Sequence, residues 1–331
     1  MLTSQRFGKT VLAAAALLVT VIALAPLIGS TSISLERALR GESPDSEILF
    51  DIRLTRTLLA AAAGGALALA GVIFQALLRD ALATPFTLGV SNGAALGAVM
   101  AICFGWGAVG DFSALGLASL AGALIVMATV VSIATEGPRM SSFTLLLTGV
   151  TINSICMAAI LFLHSMAGFN QSFAIARWLM GGIDSPRPAT LAMAGGGVLL
   201  ALALTIWRAN DLNLLAVGEE WAMTRGADVK AGMRFCFVLG SFLTAVVTSM
   251  TGPIGFIGLL TPHAMRMLLG ADHRLLVPAS FCAGGAFLVV CDTFARTAMA
   301  PSEIPVGVIT AMLGGPFFIW LLRSRRASLW M

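Results

Sequence analysis

Charge is scarce in this chain. Of its 331 residues only 11% are Asp, Glu, Lys or Arg, against roughly 25% in a soluble domain. An ordinary soluble globule is excluded, and no nucleic-acid partner is expected. The usual catalytic motifs are also missing. There is no GxSxG elbow, no HExxH pair and no cluster of carboxylates inside the apolar runs. Gly8-Lys9-Thr10 matches the end of a P-loop, but Thr3 stands where the first glycine is needed and an apolar run follows. His164, His263 and His273 form no close ligand pair. Cys103, Cys156, Cys236, Cys282 and Cys291 lack metal-type spacing and read as small buried residues. No metal site is expected.

What is present is apolar. Hydrophobic residues make up 58% of the chain, and the mean hydropathy is +0.94. The expected fold is all-α, a polytopic integral membrane protein in one domain over residues 1–331. Apolar runs at about 10–28, 57–78, 88–107, 113–135, 143–163, 189–207, 235–251, 254–269, 275–298 and 304–322 predict ten spans. The first run follows Arg6 and Lys9 as a signal peptide would. It is long enough to span and no small-x-small site follows it, so a retained helix is expected. An even count places both termini on one side. With the termini in the cytoplasm, most Arg and Lys fall inside, including Arg79, Arg208, Arg225, Lys230, Arg325 and Arg326.

Three connections are long enough for structure of their own. The outer loop 29–56 contains SLERALR, an amphipathic turn or two. The outer segment 164–188 contains SFAIARWLMGG, which suits a short helix at the interface. The inner loop 208–234 has mixed charge, Trp221 and helical spacing on either side of Gly226, which predicts a docking surface or a pair of short helices.

Glycine marks the packing. Gly64, Gly65 and Gly71 lie in one run, and Gly89, Gly93 and Gly97 form GxxxGxxxG. Such stripes let helices approach closely in lipid. Ten spans divide into two sets of five, and an odd-numbered repeat inserts with opposite topology. GVSNGAALGA and SFCAGGAFLV share a small-residue texture but no alignment.

Residues 252–274, GPIGFIGLLTPHAMRMLLGADHR, are the most heavily punctuated stretch. Gly252, Gly255 and Gly258 recur every third residue, and Pro262 removes a backbone donor. The apolar part is about 15 residues, short of the roughly 20 a straight span needs. A short or broken helix inside the bundle, ending in a charged loop, is expected. Asp292 and Arg296 are spaced to neutralise each other within the ninth run. So few intramembrane charges disfavour an ion-driven carrier. Energy for uphill movement would come from a separate subunit.

Three segments carry a family resemblance: GPIGFIGLLTPHAMRMLLGADHRLLVP, the tail PSEIPVGVITAMLGGPFFIWLLR, and RLTRTLLAAAAGGALALAGVIFQALLRDALATPFTLGVSNGAALGA. In this order they resemble permease subunits of the ATP-binding-cassette importers for iron-siderophores, haem and cobalamin, from about Asp51 to Arg323. The resemblance implies an inverted-repeat permease in the bacterial inner membrane with cytoplasmic termini. It implies a second permease copy, making a homodimer ahead of a close heterodimer, and two ATPase subunits that bind ATP and Mg, with no cofactor or catalytic residue in this chain. A periplasmic binding protein would deliver the substrate, with an iron-siderophore expected ahead of haem and cobalamin.

The resemblance also assigns residues. LLAVGEEWAMTRGADVKAGMR looks like the coupling helices that dock on the ATPase, with Leu215, Gly218, Glu219, Glu220, Ala222, Arg225 and Gly226 in contact positions. Arg53, Arg56 and Arg296 match outward arginines that meet the binding protein. Ser142 and Phe143 match a gate at the start of the fifth span, and Asp80 and Leu82 a second constriction. At that constriction the family's NPLA, acidic residue and Pro become Asp80-Ala81-Leu82-Ala83-Thr84-Pro85. Pro262 and His263 match a structural Pro-His pair. The competing readings are an ion-coupled secondary transporter and a membrane-embedded enzyme using His263, His273 and Asp272.

Overall fold

A computed structural model of the chain describes residues 4–106, 108–109, 112–136, 139–226 and 228–324. Arg325 and Arg326, counted above among the inner cations, lie outside them. Fourteen α-helices run in order among the described residues: α1 (Ser4–Leu24), α2 (Leu35–Leu39), α3 (Thr55–Leu78), α4 (Val90–Cys103), α5 (Ala114–Ala134), α6 (Ser142–Met166), α7 (Phe169–Leu179), α8 (Pro188–Trp207), α9 (Ala209–Val217), α10 (Glu219–Thr224), α11 (Val229–Thr251), α12 (Ile257–Leu269), α13 (His273–Thr297) and α14 (Val306–Ser324). A π-helical segment, Glu47–Leu54, leads into α3. Two antiparallel ladders of two residues a side precede α5 and α6.

All ten expected spans are helices. Seven of them (α1, α3, α5, α6, α8, α11 and α13) are long and apolar enough to cross a membrane, while α4, α12 and the apolar part of α14 are shorter. At 1.5 Å per residue, α12 with 13 residues reaches only about 20 Å. The rest of each short crossing is unwound backbone, residues 79–89 before α4 and 252–256 before α12.

Helix α3 is the axis of the bundle. Its Ala- and Gly-rich sequence is buried along nearly its whole length and packs against α11, α12 and α13. The packing is two-fold. Exchanging α3, α4, α5 and α6 with α11, α12, α13 and α14 turns the α3–α13 contact into α11–α5. The same exchange turns α3–α12 into α11–α4, α4–α5 into α12–α13, and α4–α6 into α12–α14. The two halves run in opposite directions. Helix α4 ends beside α7, where Gln171 Nε2 donates to the Cys103 carbonyl at 3.0 Å. Helix α12 leads at the opposite end to Asp272, which meets α9. This is the inverted repeat, and it accounts for the missing alignment between the two small-residue segments. GVSNGAALGA lies in α4, whose counterpart is α12, whereas SFCAGGAFLV lies in α13. Small residues recur wherever helices cross closely, so texture alone does not give register.

The crossing of α3 and α12 shows why the punctuated stretch is built as it is. Pro262 has no N–H to offer the Gly258 carbonyl four residues back. Gln75 Nε2 donates to that carbonyl instead, at 3.2 Å, from a side chain that is 3% exposed. Gly71, one turn before Gln75, lies so close that a methyl there would overlap the same carbonyl. The three-residue glycine row is not one helix face, however. Gly252 packs on the Trp178 carbonyl in the left-handed region (φ 66°), Gly255 faces open space and only Gly258 is helical. In the GxxxGxxxG run, Gly93 and Gly97 meet α5 at Gly122 and Ala118, while Gly89 meets α6.

Candidate functional site

The polar side chains gather at the two ends of the bundle. One end is closed by a strap made of α9 and α10. The sequence reading put its break at Gly226, but the break is at Gly218 (φ 143°, ψ 150°), a conformation open only to glycine. Gly226 (φ 79°) instead closes α10.

The strap is tied to both halves of the fold. On α9, Asn213 Oδ1 accepts from the His273 backbone N–H at 2.9 Å and lies 2.8 Å from His273 Nδ1. An acceptor held by that backbone N–H requires the ring hydrogen on Nδ1. Asn213 Nδ2 donates to Asp272 at 3.0 Å. Asp272 caps α13, and its hydrogen bonds from Arg274 and Asn213 hold its carboxyl well below the usual range. On α10, Glu219 Oε1 accepts from Ser142 Oγ at 2.9 Å and from Arg79 Nη2 at 3.4 Å. Arg79 ends α3 in the left-handed region (φ 52°), which aims its side chain at the strap.

Of the residues assigned to this strap by resemblance, Leu215, Gly218 and Ala222 face inward and anchor it. Glu220, Arg225 and Gly226 are exposed. Val217, Trp221 and Met223 join them as exposed apolar side chains. The residues assigned to the gate separate in the same way. Ser142 is buried at 7% exposure, whereas Phe143 next to it is 72% exposed and Leu82 is 50% exposed. Asp80 Oδ1 accepts from the Leu82 backbone N–H at 2.9 Å and so fixes the turn after α3. An Asp replaces the family's Asn there without loss of that acceptor.

The arginines at the opposite end depart from expectation. They were expected to point outward, and they do not; Arg53 belongs to the π-helical lead-in and Arg56 begins α3. Arg53 is 5% exposed and donates to the Pro26 carbonyl at 3.2 Å and to that of Thr31. Arg296 is 6% exposed and donates to the Ala25 carbonyl at 2.6 Å. It stands 4.0 Å from Asp292, so the expected i,i+4 neutralisation is weak. Arg56 supplies it, bonding Asp292 at 2.9 Å and Glu303 at 2.9 Å. The three arginines turn inward because carbonyls and carboxylates there need partners.

Between the ends lies an open cavity of about 500 Å³, reached by the unwound 252–256 segment, α4, α6, α7 and α14. Phe86, Met157, Met180, Phe256 and Met312 line it, and Asn92 is the one polar side chain among its lining residues. Phe256 holds φ 68°, an uncommon conformation for an aromatic residue, with its ring against Gly314. Among the described residues no group of His, Cys, Asp and Glu is arranged to hold a metal. His263 lies near Phe318, and His273 is committed to Asn213, so the two do not form a shared site.

This geometry has close counterparts. The permease protein BtuC of the cobalamin import system of Halobacterium salinarum is 41% identical over 280 residues, 84% of this chain and 74% of its own. The permease protein HmuU of the hemin transport system of Yersinia pestis is 37% identical over 308 residues, 90% of each chain. A solved structure described as an inward-facing conformation of a metal-chelate type ABC transporter superimposes with a TM-score of 0.84 at 28% identity, covering 96% of this chain and 99% of that one. The model of the FecCD transport family matches residues 17–324, and the chain belongs to that family.

Proposed function

We infer that this chain is the membrane-spanning permease subunit of an ATP-binding-cassette importer for a metal chelate. The observation that carries the reading is the α9–α10 strap. It is tied inward to both halves of the fold by Asn213 and Glu219, and it presents Val217, Trp221 and Met223 outward with the exposed Glu220 and Arg225 beside them. A chain without a P-loop needs a partner to bind ATP and Mg, and an apolar ridge with a charged rim is what such a partner grips. The strap end is then cytoplasmic. Helix α1 ends and α14 begins at the opposite end, so both termini share the strap's side. The setting is the cytoplasmic (inner) membrane of a bacterium.

A second copy of the chain completes the pathway. Phe143 and Leu82 are apolar, exposed and beside the strap, where a narrow apolar constriction between copies would exclude water. A binding protein delivers cargo at the other end. Since Arg53, Arg56 and Arg296 are used internally, its acidic surface meets exposed cations such as Arg177. The cavity wall carries no ionisable side chain, which favours passage without tight binding. Cobalamin and haem, the cargoes named for the relatives, move ahead of the iron-siderophore expected from sequence.

Purification from a host that co-expresses the neighbouring ATPase and binding protein tests the reading. The expected result is a complex that imports labelled cobalamin, haemin or a ferric siderophore only with ATP. Uptake driven by an ion gradient without ATP would favour a secondary transporter and overturn it.

A further inference from the structure

Ser142 Oγ lies within hydrogen-bond distance of two acceptors, Glu219 Oε1 at 2.9 Å and the Leu77 carbonyl at 3.1 Å. A hydroxyl carries one hydrogen and donates to one of them at a time. The first bond ties the start of α6 to α10. The second ties it to the end of α3. A carboxylate is the stronger acceptor, and Arg79 steadies it, so the bond to the strap prevails while Glu219 is in reach.

Of the two strap helices α9 is the more firmly held, since α10 buries only Ala222 besides its Glu219 link. Helix α9 is clamped on α13 through Asn213, His273 and Asp272. The next joint is Gly218, in a conformation that only glycine adopts, and Glu219 follows it directly. Beyond Ser142 the next residue of α6 is Phe143, whose ring is 72% exposed.

We propose that Glu219 is the positioning residue through which a tilt of α10 reaches α6, with the Ser142 hydroxyl exchanging between Glu219 and Leu77 as it does so. When the ATPase draws α10 outward about Gly218, the hydroxyl transfers to the Leu77 carbonyl and α6 is released from the strap. Phe143 then changes its surroundings. When α10 returns, Glu219 recaptures the hydroxyl. The buried hydroxyl keeps a partner in both states, so neither carries the cost of an unpaired group. This link rests on the reading of the strap as the ATPase contact.

The test uses the permease–ATPase complex in lipid nanodiscs, with the five native cysteines replaced and a single reporter, Phe143→Cys. Labelling by a water-soluble maleimide is timed without nucleotide and after vanadate trapping with Mg-ATP. With Glu219 and Ser142 in place, the two rates are expected to differ several-fold. Glu219→Ala or Ser142→Ala should abolish the difference, and the pair together should do no more than either alone. Ser142→Thr, which keeps the hydroxyl, and Glu219→Gln, which keeps an acceptor, should restore much of it. An ATPase-bound complex in which Glu219→Ala responds to nucleotide as fully as the unaltered chain overturns the link, and so does one in which neither responds. A permease that binds no ATPase at all defeats the functional reading itself, which co-purification reports separately.

Discussion

Arg56 and Asp292, 236 residues apart, are joined by three hydrogen bonds between the start of α3 and the end of α13. The Asp292 side chain is 2% exposed and that of Arg56 13%. Removing one partner of a buried pair costs about 3–5 kcal/mol, at the lower end here because Arg296 stays 4.0 Å from Asp292. Arg56→Ala and Arg56→Glu are therefore expected to lower the melting temperature of the purified chain, Arg56→Glu further because it faces Asp292 and Glu303. A melting curve unchanged in both variants would show that the pair does not hold α3 to α13.

Gln75 and Pro262 act on one carbonyl, which gives a coupled prediction. Gln75→Leu leaves the Gly258 oxygen without a donor, at a cost of about 1–3 kcal/mol. Pro262→Ala restores the helix's own N–H to that oxygen. Thermal unfolding in detergent should show Gln75→Leu destabilising the native chain more than the Pro262→Ala chain. Equal effects in both backgrounds would separate the two residues.

Gly71 and Gly195 form a matched pair of opposite sign. A methyl at Gly71 meets the Gly258 backbone, whereas one at Gly195 on α8 meets nothing within 4 Å. Gly71→Ala should reduce the folded yield in membranes. Gly195→Ala should keep it, with a gain of about 0.5–1 kcal/mol from helix propensity. Comparable yields would mean that α3 and α12 part easily.

Between the two neighbouring gate residues, exposure decides which one reports on a second copy. Cysteine at the exposed Phe143 is expected to crosslink between copies in native membranes, and cysteine at the buried Ser142 is not. Crosslinking at Ser142 alone would mean that α6 is turned differently in the assembled protein.

Much of this was legible in the sequence, for a physical reason. Spans are recorded in composition, because lipid admits little else. The brevity of α12 was visible in Pro262 and its flanking glycines. What stayed hidden depends on distant partners. Arg53 and Arg296 looked like outward cations, and nothing local told of the carbonyls at Pro26 and Ala25 that take them. Asn213 and Glu219 carried no local sign that they would clamp His273 and Ser142, 60 and 77 residues away. Both Gly218 and Gly226 were visible, and the anchors on either side of Gly218 decide where the strap divides. Gln75, a lone amide in an apolar run one turn after Gly71, was the one such clue within reach.

The paired arrangement of eight of the ten spans leaves that part of the backbone without a preferred direction. Turned end over end, α11 to α14 present what α3 to α6 presented before, with a short helix and an unwound entry at the same depth. The two faces therefore share one backbone plan, while the side chains laid on it differ. Direction must then come from what the exchange leaves out: α1, α8, the excursion before α3, the α7 helix, the α9–α10 strap and the side chains that differ between the halves. The exchanged spans supply a backbone with no inherent up or down, and the unmatched parts mark which end is which.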